Sequence, residues 1–140
     1  MLKALLTHIT YVLTFRHDGH GLPDRYGPLP YAAAAVAIVL SVTRMGFIEP
    51  DHLMAAAPSL LIAWAIIRLI LSAPVFVMFA LATIGTNIIF VVIMAAGQNI
   101  DAESMRMTFS LWELAAVVTG AWKYGKRKSR ELQDKNDRDS

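Results

Sequence analysis

Glu113 is the side chain best placed to do chemistry. It is a carboxylate within an otherwise largely apolar stretch, Met105 to Tyr124, and ionisable groups at membrane depth face a bundle interior or a water-filled path. Asn87 lies close to the middle of the preceding apolar stretch. Counted inward from the segment ends at about 1.5 Å per residue, Asn87 and Glu113 come to similar depths. A Glu113–Asn87 hydrogen bond is therefore within reach, with Arg44 as a counter-charge that snorkels to the headgroups. Two roles suit such a set: an ion or proton relay, or a neutral or paired carboxyl that fixes helix packing. A relay needs a chain of titratable groups, and here there is one, so packing is the favoured expectation. Arg68 is the only ionisable side chain between Leu53 and Ala96. It falls near a segment end, where a cation reaches lipid phosphates.

Other chemistry finds little footing. His17, Asp18, His20 and Asp24 cluster in a loop, but their spacing matches no standard ligand pattern, and Gly19 and Gly21 would leave the ligands floppy. No cysteine is present, which excludes disulfides, thiolate nucleophiles and cysteine-ligated metals. There is no glycine-rich phosphate loop and no HExxH, and Ser104 and the histidines make no triad. The expectation is a non-enzymatic protein with no cofactor and no metal.

The elements that carry these residues are set by apolar runs. The chain has 140 residues, 56% of them hydrophobic, with mean hydropathy +0.48, too apolar for an ordinary soluble domain. Leu53 to Gly97 is nearly all apolar and, as one helix, would be about twice the hydrocarbon thickness of a bilayer. Pro74, close to its centre, cannot continue a helix without losing a hydrogen bond. A tight hairpin follows, with one crossing over 53–71 and the next over 75–96. A further crossing spans about 29–48, and the last runs over 105–124, with Trp112 near its start and Trp122 and Tyr124 as an interfacial belt at its end.

Ahead of these, residues 1–16 repeat Leu2, Leu5, Leu6, Ile9, Val12 and Leu13 at helical spacing, which predicts an amphipathic helix lying in the membrane interface. Residues 17–30 form a Gly/Pro loop. Small residues at four-residue steps predict close helix approach: Ala33, Ala37 and Ser41; Ala55, Ser59 and Ala63; Ala82 and Thr86; and Ala116 with Gly120. Residues 125–140 are wholly polar and predict a mobile charged tail beyond any helical extension.

The fold expected is thus an all-α membrane protein: an interfacial amphipathic helix, a four-helix transmembrane bundle and the tail. Net charge is only +2, but Lys123, Lys126, Arg127, Lys128 and Arg130 crowd after the last apolar segment. Such a run marks a cytoplasmic flank against lipid headgroups rather than nucleic-acid binding. With both termini inside, the basic residues face the cytoplasm and the outer links are acidic, which suits a bacterial inner membrane. The functional expectation is an accessory or scaffold subunit of a larger envelope assembly, with other membrane-protein subunits or its own copies as partners. The alternative is a self-associating pore or lesion former. In size, hairpin and charged tail the hydropathy profile resembles that of phage holins, which have one to three crossings rather than four.

Overall fold

The computed structural model describes residues 2–48, 53–96 and 102–138. Among these the chain forms helices and no strand: α1 (Leu2–Leu13), α2 (Pro28–Ile48), α3 (Leu53–Ile70), α4 (Ala73–Ala95) and α5 (Ala102–Arg138). Two of them, over Pro28–Gly46 and Ala73–Ala95, are long and apolar enough to cross a membrane, and Ala56–Ile70 is a shorter apolar helix.

The break at the expected hairpin has a local cause. Ser72 is extended (φ −70°, ψ 157°) and Pro74 occupies the first turn of α4, where its missing N–H is one that no helix would satisfy. The Phe76 N–H then donates to the Ser72 carbonyl at 2.8 Å, starting the new ladder.

α4 is the axis of the fold. It is apolar all round, as a helix wrapped by others must be, and its residues from Ala73 to Asn87 are buried with the single exception of half-buried Phe79. α2, α1 and α5 pack on it from different sides, while α3 leans on α2 and only grazes α4. Trp64 is the contact α3 does make, its ring edge-on to Phe76 at 5.7 Å and tilted on Phe79 at 5.0 Å.

Small residues set how closely the helices approach. Ala37 and Ser41 are buried on α2, Ala82 and Thr86 on α4, and Ala116 and Gly120 on α5, while Ala33 is half-buried. A Cβ on Gly85 would stand 2.6 Å from Leu13 Cδ1 and 2.8 Å from Ile9 Cγ2, so α1 crosses α4 at this glycine. A Cβ on Gly120 would stand 2.6 Å from Met78 Sδ. The α3 stripe behaves otherwise. Ser59 and Ala63 are exposed, because α3 meets the bundle through the larger Trp64 instead; Ala55 lies outside the described side chains.

One further expectation changes, and the tail takes the helical extension that the sequence allows. The apolar face of α1, expected to rest on lipid, has Ile9 and Val12 buried against α4 and leaves Leu5, Leu6 and Tyr11 exposed. The missing side chain at Gly85 opens the notch that makes this packing available. The polar tail also continues α5 without interruption to Arg138. Arg127 and Glu131 pair across one turn at 3.3 Å, a contact worth about 0.3–0.5 kcal/mol.

Candidate functional site

Ser41, Arg44, Thr83, Thr86, Asn87 and Glu113 gather in one layer across α2, α4 and α5, whereas Arg68 lies apart at the end of α3, against Tyr26 and Tyr31. Asn87 is fully buried, and its Nδ2 donates to Ser41 Oγ at 3.0 Å, tying α4 to α2. On an adjoining face of α4, Glu113 accepts from Thr86 Oγ1 and, at 3.4 Å, from Thr83 Oγ1, tying α4 to α5. Thr83 and Thr86 lie three residues apart and so share a face of α4, which lets one carboxylate address both hydroxyls. The expected Glu113–Asn87 bond is therefore not made. Similar depth does not imply the same face: Asn87 follows Thr86 by one residue, about 100° round the helix.

Arg44 lies one turn beyond Ser41, half-buried and within electrostatic reach of Glu113. Its guanidinium is 5.8 Å from the centroid of the Phe90 ring, and among the described residues its Nε has no hydrogen-bond partner. Asn87 Oδ1 is likewise buried and unpartnered. The layer thus joins three helices by hydroxyl, amide and carboxyl contacts, with one carboxylate and one guanidinium at its flank. Among the described residues Glu113 is the only carboxylate of this layer, and a guanidinium holds its proton too tightly to pass it along.

A second polar cluster, not anticipated from the sequence, joins α1 to the 17–30 loop. The Gly19 N–H donates to His17 Nδ1 at 2.9 Å, which requires that nitrogen to be unprotonated. His17 therefore carries its proton on Nε2 and donates it to His8 Nδ1 at 2.7 Å. Burial of the ring, helped by the neighbouring His8, pushes His17 down from 6.5 to about 4. Gly19 has φ +82°, a region that favours glycine, and a Cβ there would stand 2.7 Å from the Tyr124 ring. The nearby Asp18 carboxyl accepts the His20 N–H at 3.0 Å, which holds it below the usual carboxylate range. Among the described residues no three His, Cys, Asp or Glu side chains come together as a metal site.

Side chains of α5 and of the 17–30 loop cap the ends of α1 and α3. Trp112 Nε1 donates to the Leu13 carbonyl at 3.0 Å and Lys123 Nζ to the Phe15 carbonyl at 2.5 Å. Phe15 has φ +58°, so these contacts hold a turn that ends α1. The Tyr26 hydroxyl lies 2.6 Å from the Leu71 carbonyl and 3.0 Å from that of Arg68, serving acceptors that the end of α3 would otherwise leave open. Of the basic run, Lys123 is committed to this capping. Lys126 lies over the Trp122 ring at 4.0 Å and Arg127 over Tyr124 at 5.5 Å, while Lys128 and Arg130 are exposed.

Comparison with protein-family models, curated proteins and solved structures finds no match for this chain.

Proposed function

We propose that the chain is a non-enzymatic, polytopic membrane protein that acts as an accessory or scaffold subunit of a larger envelope assembly. One observation carries the reading. Ser41, Thr83, Thr86 and Asn87 are buried at the α4 interfaces, while Val36 and Val39 of α2 and Leu61, Ile62, Ile66, Leu69 and Ile70 of α3 point outward and exposed. In water a contiguous surface of this kind is a liability for an isolated soluble protein; in hydrocarbon it is the face a membrane helix presents to lipid. On this reading α2, α3, α4 and the 105–124 part of α5 cross the bilayer. The basic run from Lys123 to Arg130 lies on the cytoplasmic side of a bacterial inner membrane. The Ser41–Asn87 and Thr83/Thr86–Glu113 contacts serve as interhelical ties, and the outward faces of α2 and α3 are available to lipid and to partner helices.

The test is expression of the tagged chain in a bacterial host, with membranes washed in alkaline carbonate and membrane potential followed by a voltage-sensitive dye. Retention in the washed membrane, a steady potential and co-purification with a fixed ratio of another membrane protein support the subunit reading. Release by carbonate refutes a membrane-spanning fold. Abrupt collapse of the potential replaces the subunit with a lesion former.

A further inference from the structure

Between α2 and α3 lies an apolar groove of about 460 Å³, lined by Ala34, Ile38, Leu61, Trp64 and Ala65, with Arg68 and Tyr31 at one end. Its volume falls within the range of small-molecule sites. The groove exists because α3 leans on α2 and touches α4 mainly through Trp64, so small alanines face one another where larger residues would close the gap. From the Tyr31/Arg68 end to the Ile38/Leu61 end it runs seven residue steps along each helix, about 10 Å at 1.5 Å per residue. That is about two thirds of one leaflet of hydrocarbon.

The end of the groove is built rather than merely charged. Arg68 Nε donates to the Tyr31 hydroxyl at 3.3 Å, and the guanidinium lies 4.5 Å from the Tyr26 ring centroid. Tyr26 is in turn anchored on the carbonyls of Arg68 and Leu71. One edge and one face of the guanidinium are thereby held. Its two terminal amino groups make no hydrogen bond, and Arg68 meets no carboxylate, among the described residues. An oriented guanidinium with its terminal N–H groups free is the geometry that takes two oxygens of a phosphate.

We propose that this groove binds one anionic phospholipid, with an acyl chain along Ala34, Ile38, Leu61 and Ala65 and the headgroup phosphate on the Arg68 fork. The proposal rests on the membrane reading above. Charge complementarity selects the occupant: a partner helix would satisfy the apolar wall and leave the fork empty, whereas a phospholipid satisfies both. Trp64 reports on the site, since its indole forms part of the wall.

The experiment uses the full chain in detergent as the W112F/W122F variant, leaving Trp64 as the sole tryptophan. It is titrated with phospholipid brominated on the acyl chain, which quenches an indole on contact, carrying either an anionic glycerol or a zwitterionic choline headgroup. Trp64 quenching should saturate at one lipid per chain, with the anionic lipid binding about tenfold more tightly. Arg68→Gln should abolish the headgroup preference, and Ala65→Phe, which fills the groove, should abolish saturable quenching. Non-saturating quenching that is equal for both headgroups and unchanged in R68Q overturns the proposal. So does displacement of the lipid by inorganic phosphate alone, which would mark an anion site without an acyl slot. A dimer that A65F dissolves would assign the groove to a second copy and also overturn it. Carbonate extraction separates the two levels: a chain that stays in the washed membrane but fails the quenching test loses the groove and keeps the membrane reading.

Discussion

Acid should loosen the α1 end of this protein, and His17 should be the reason. The ring is buried, its Nδ1 already accepts the Gly19 N–H, and its Nε2 proton is given to His8. A second proton would have to go on Nδ1, facing an N–H that points at it. Burial of the ring, with His8 beside it, holds the folded-state value at about 4 against 6.5 for the free side chain. Between those values the unfolded chain binds a proton that the folded chain refuses, so stability rises with pH across this window. The contribution is complete above pH 6.5, declines as pH falls, and is exhausted near pH 4. A shift of this size at about 1.4 kcal/mol per unit amounts to about 3 kcal/mol, or about 300-fold in the folding equilibrium. The charges that face His17 from its surroundings are His8 on α1, Asp18 and His20 in the loop, and Arg127 on α5. The assay is unfolding of the detergent-solubilised chain by a denaturing detergent at pH values from 4.5 to 7.5. It would be followed through Trp112, which caps the end of α1. His17→Gln keeps an acceptor for Gly19 but does not titrate, so its stability should lose most of the pH slope whatever its absolute value. An H17Q variant with the same slope as the parent, or a parent whose stability is flat down to pH 4.5, would refute the reasoning.

Three further outcomes follow from the packing. Gly85→Val should displace α1 from α4, since even a Cβ there meets Ile9 and Leu13, at a cost of about 1–3 kcal/mol. A cysteine placed at Val12, in a chain with none of its own, should then react with a soluble thiol reagent about tenfold faster. Glu113→Gln should keep both contacts, its amide oxygen accepting from one threonine hydroxyl and its amide N–H donating to the other, and cost little. Glu113→Ala should lower unfolding free energy by about 1–3 kcal/mol, and equal losses for the two variants would show that the hydroxyl contacts carry no weight. The double replacement Ser41→Ala with Asn87→Leu should fall within about 1 kcal/mol of the parent, because it removes both partners of one bond and also the unpartnered Asn87 oxygen. A large loss of stability in the double variant would show that this polar contact matters for more than its own hydrogen bond.

The helices themselves were legible because apolar runs and their breakers are local. Pro74 and Ser72 end one helix and start another for reasons contained within four residues. Pro28 opens α2 just one residue from the expected start. The α2 stripe of Ala37 and Ser41 could be read because four-residue spacing puts small side chains on one face, and that face is buried. The identical pattern at Ser59 and Ala63 faces outward, since spacing says which residues share a face but not what that face meets. The tail lacks apolar surface to bury, and as far as Arg138 it takes the helical extension that the sequence allows, because a helix already nucleated propagates at little further cost.

The candidate site divides along the same line. Glu113, Asn87, Arg44 and Arg68 were visible in the sequence because a polar side chain inside an apolar run is conspicuous wherever it occurs. Their partners were not. Ser41, Thr83 and Thr86 reach them across helix interfaces separated by 27 to 46 residues in the chain, and one hundred degrees of helix rotation sent Glu113 to Thr86 rather than to Asn87. His8 with His17, and Tyr26 with Tyr31 and Arg68, were concealed more thoroughly. Each depends on where a loop of three glycines and three prolines comes to rest, and such a loop has no periodicity from which its contacts can be read. Composition and hydropathy thus determine that the chain forms long apolar helices and where they break. The packing around α4, down to the notch at Gly85 and the free fork of Arg68, arises from side chains meeting across those helices, and no local pattern encodes it.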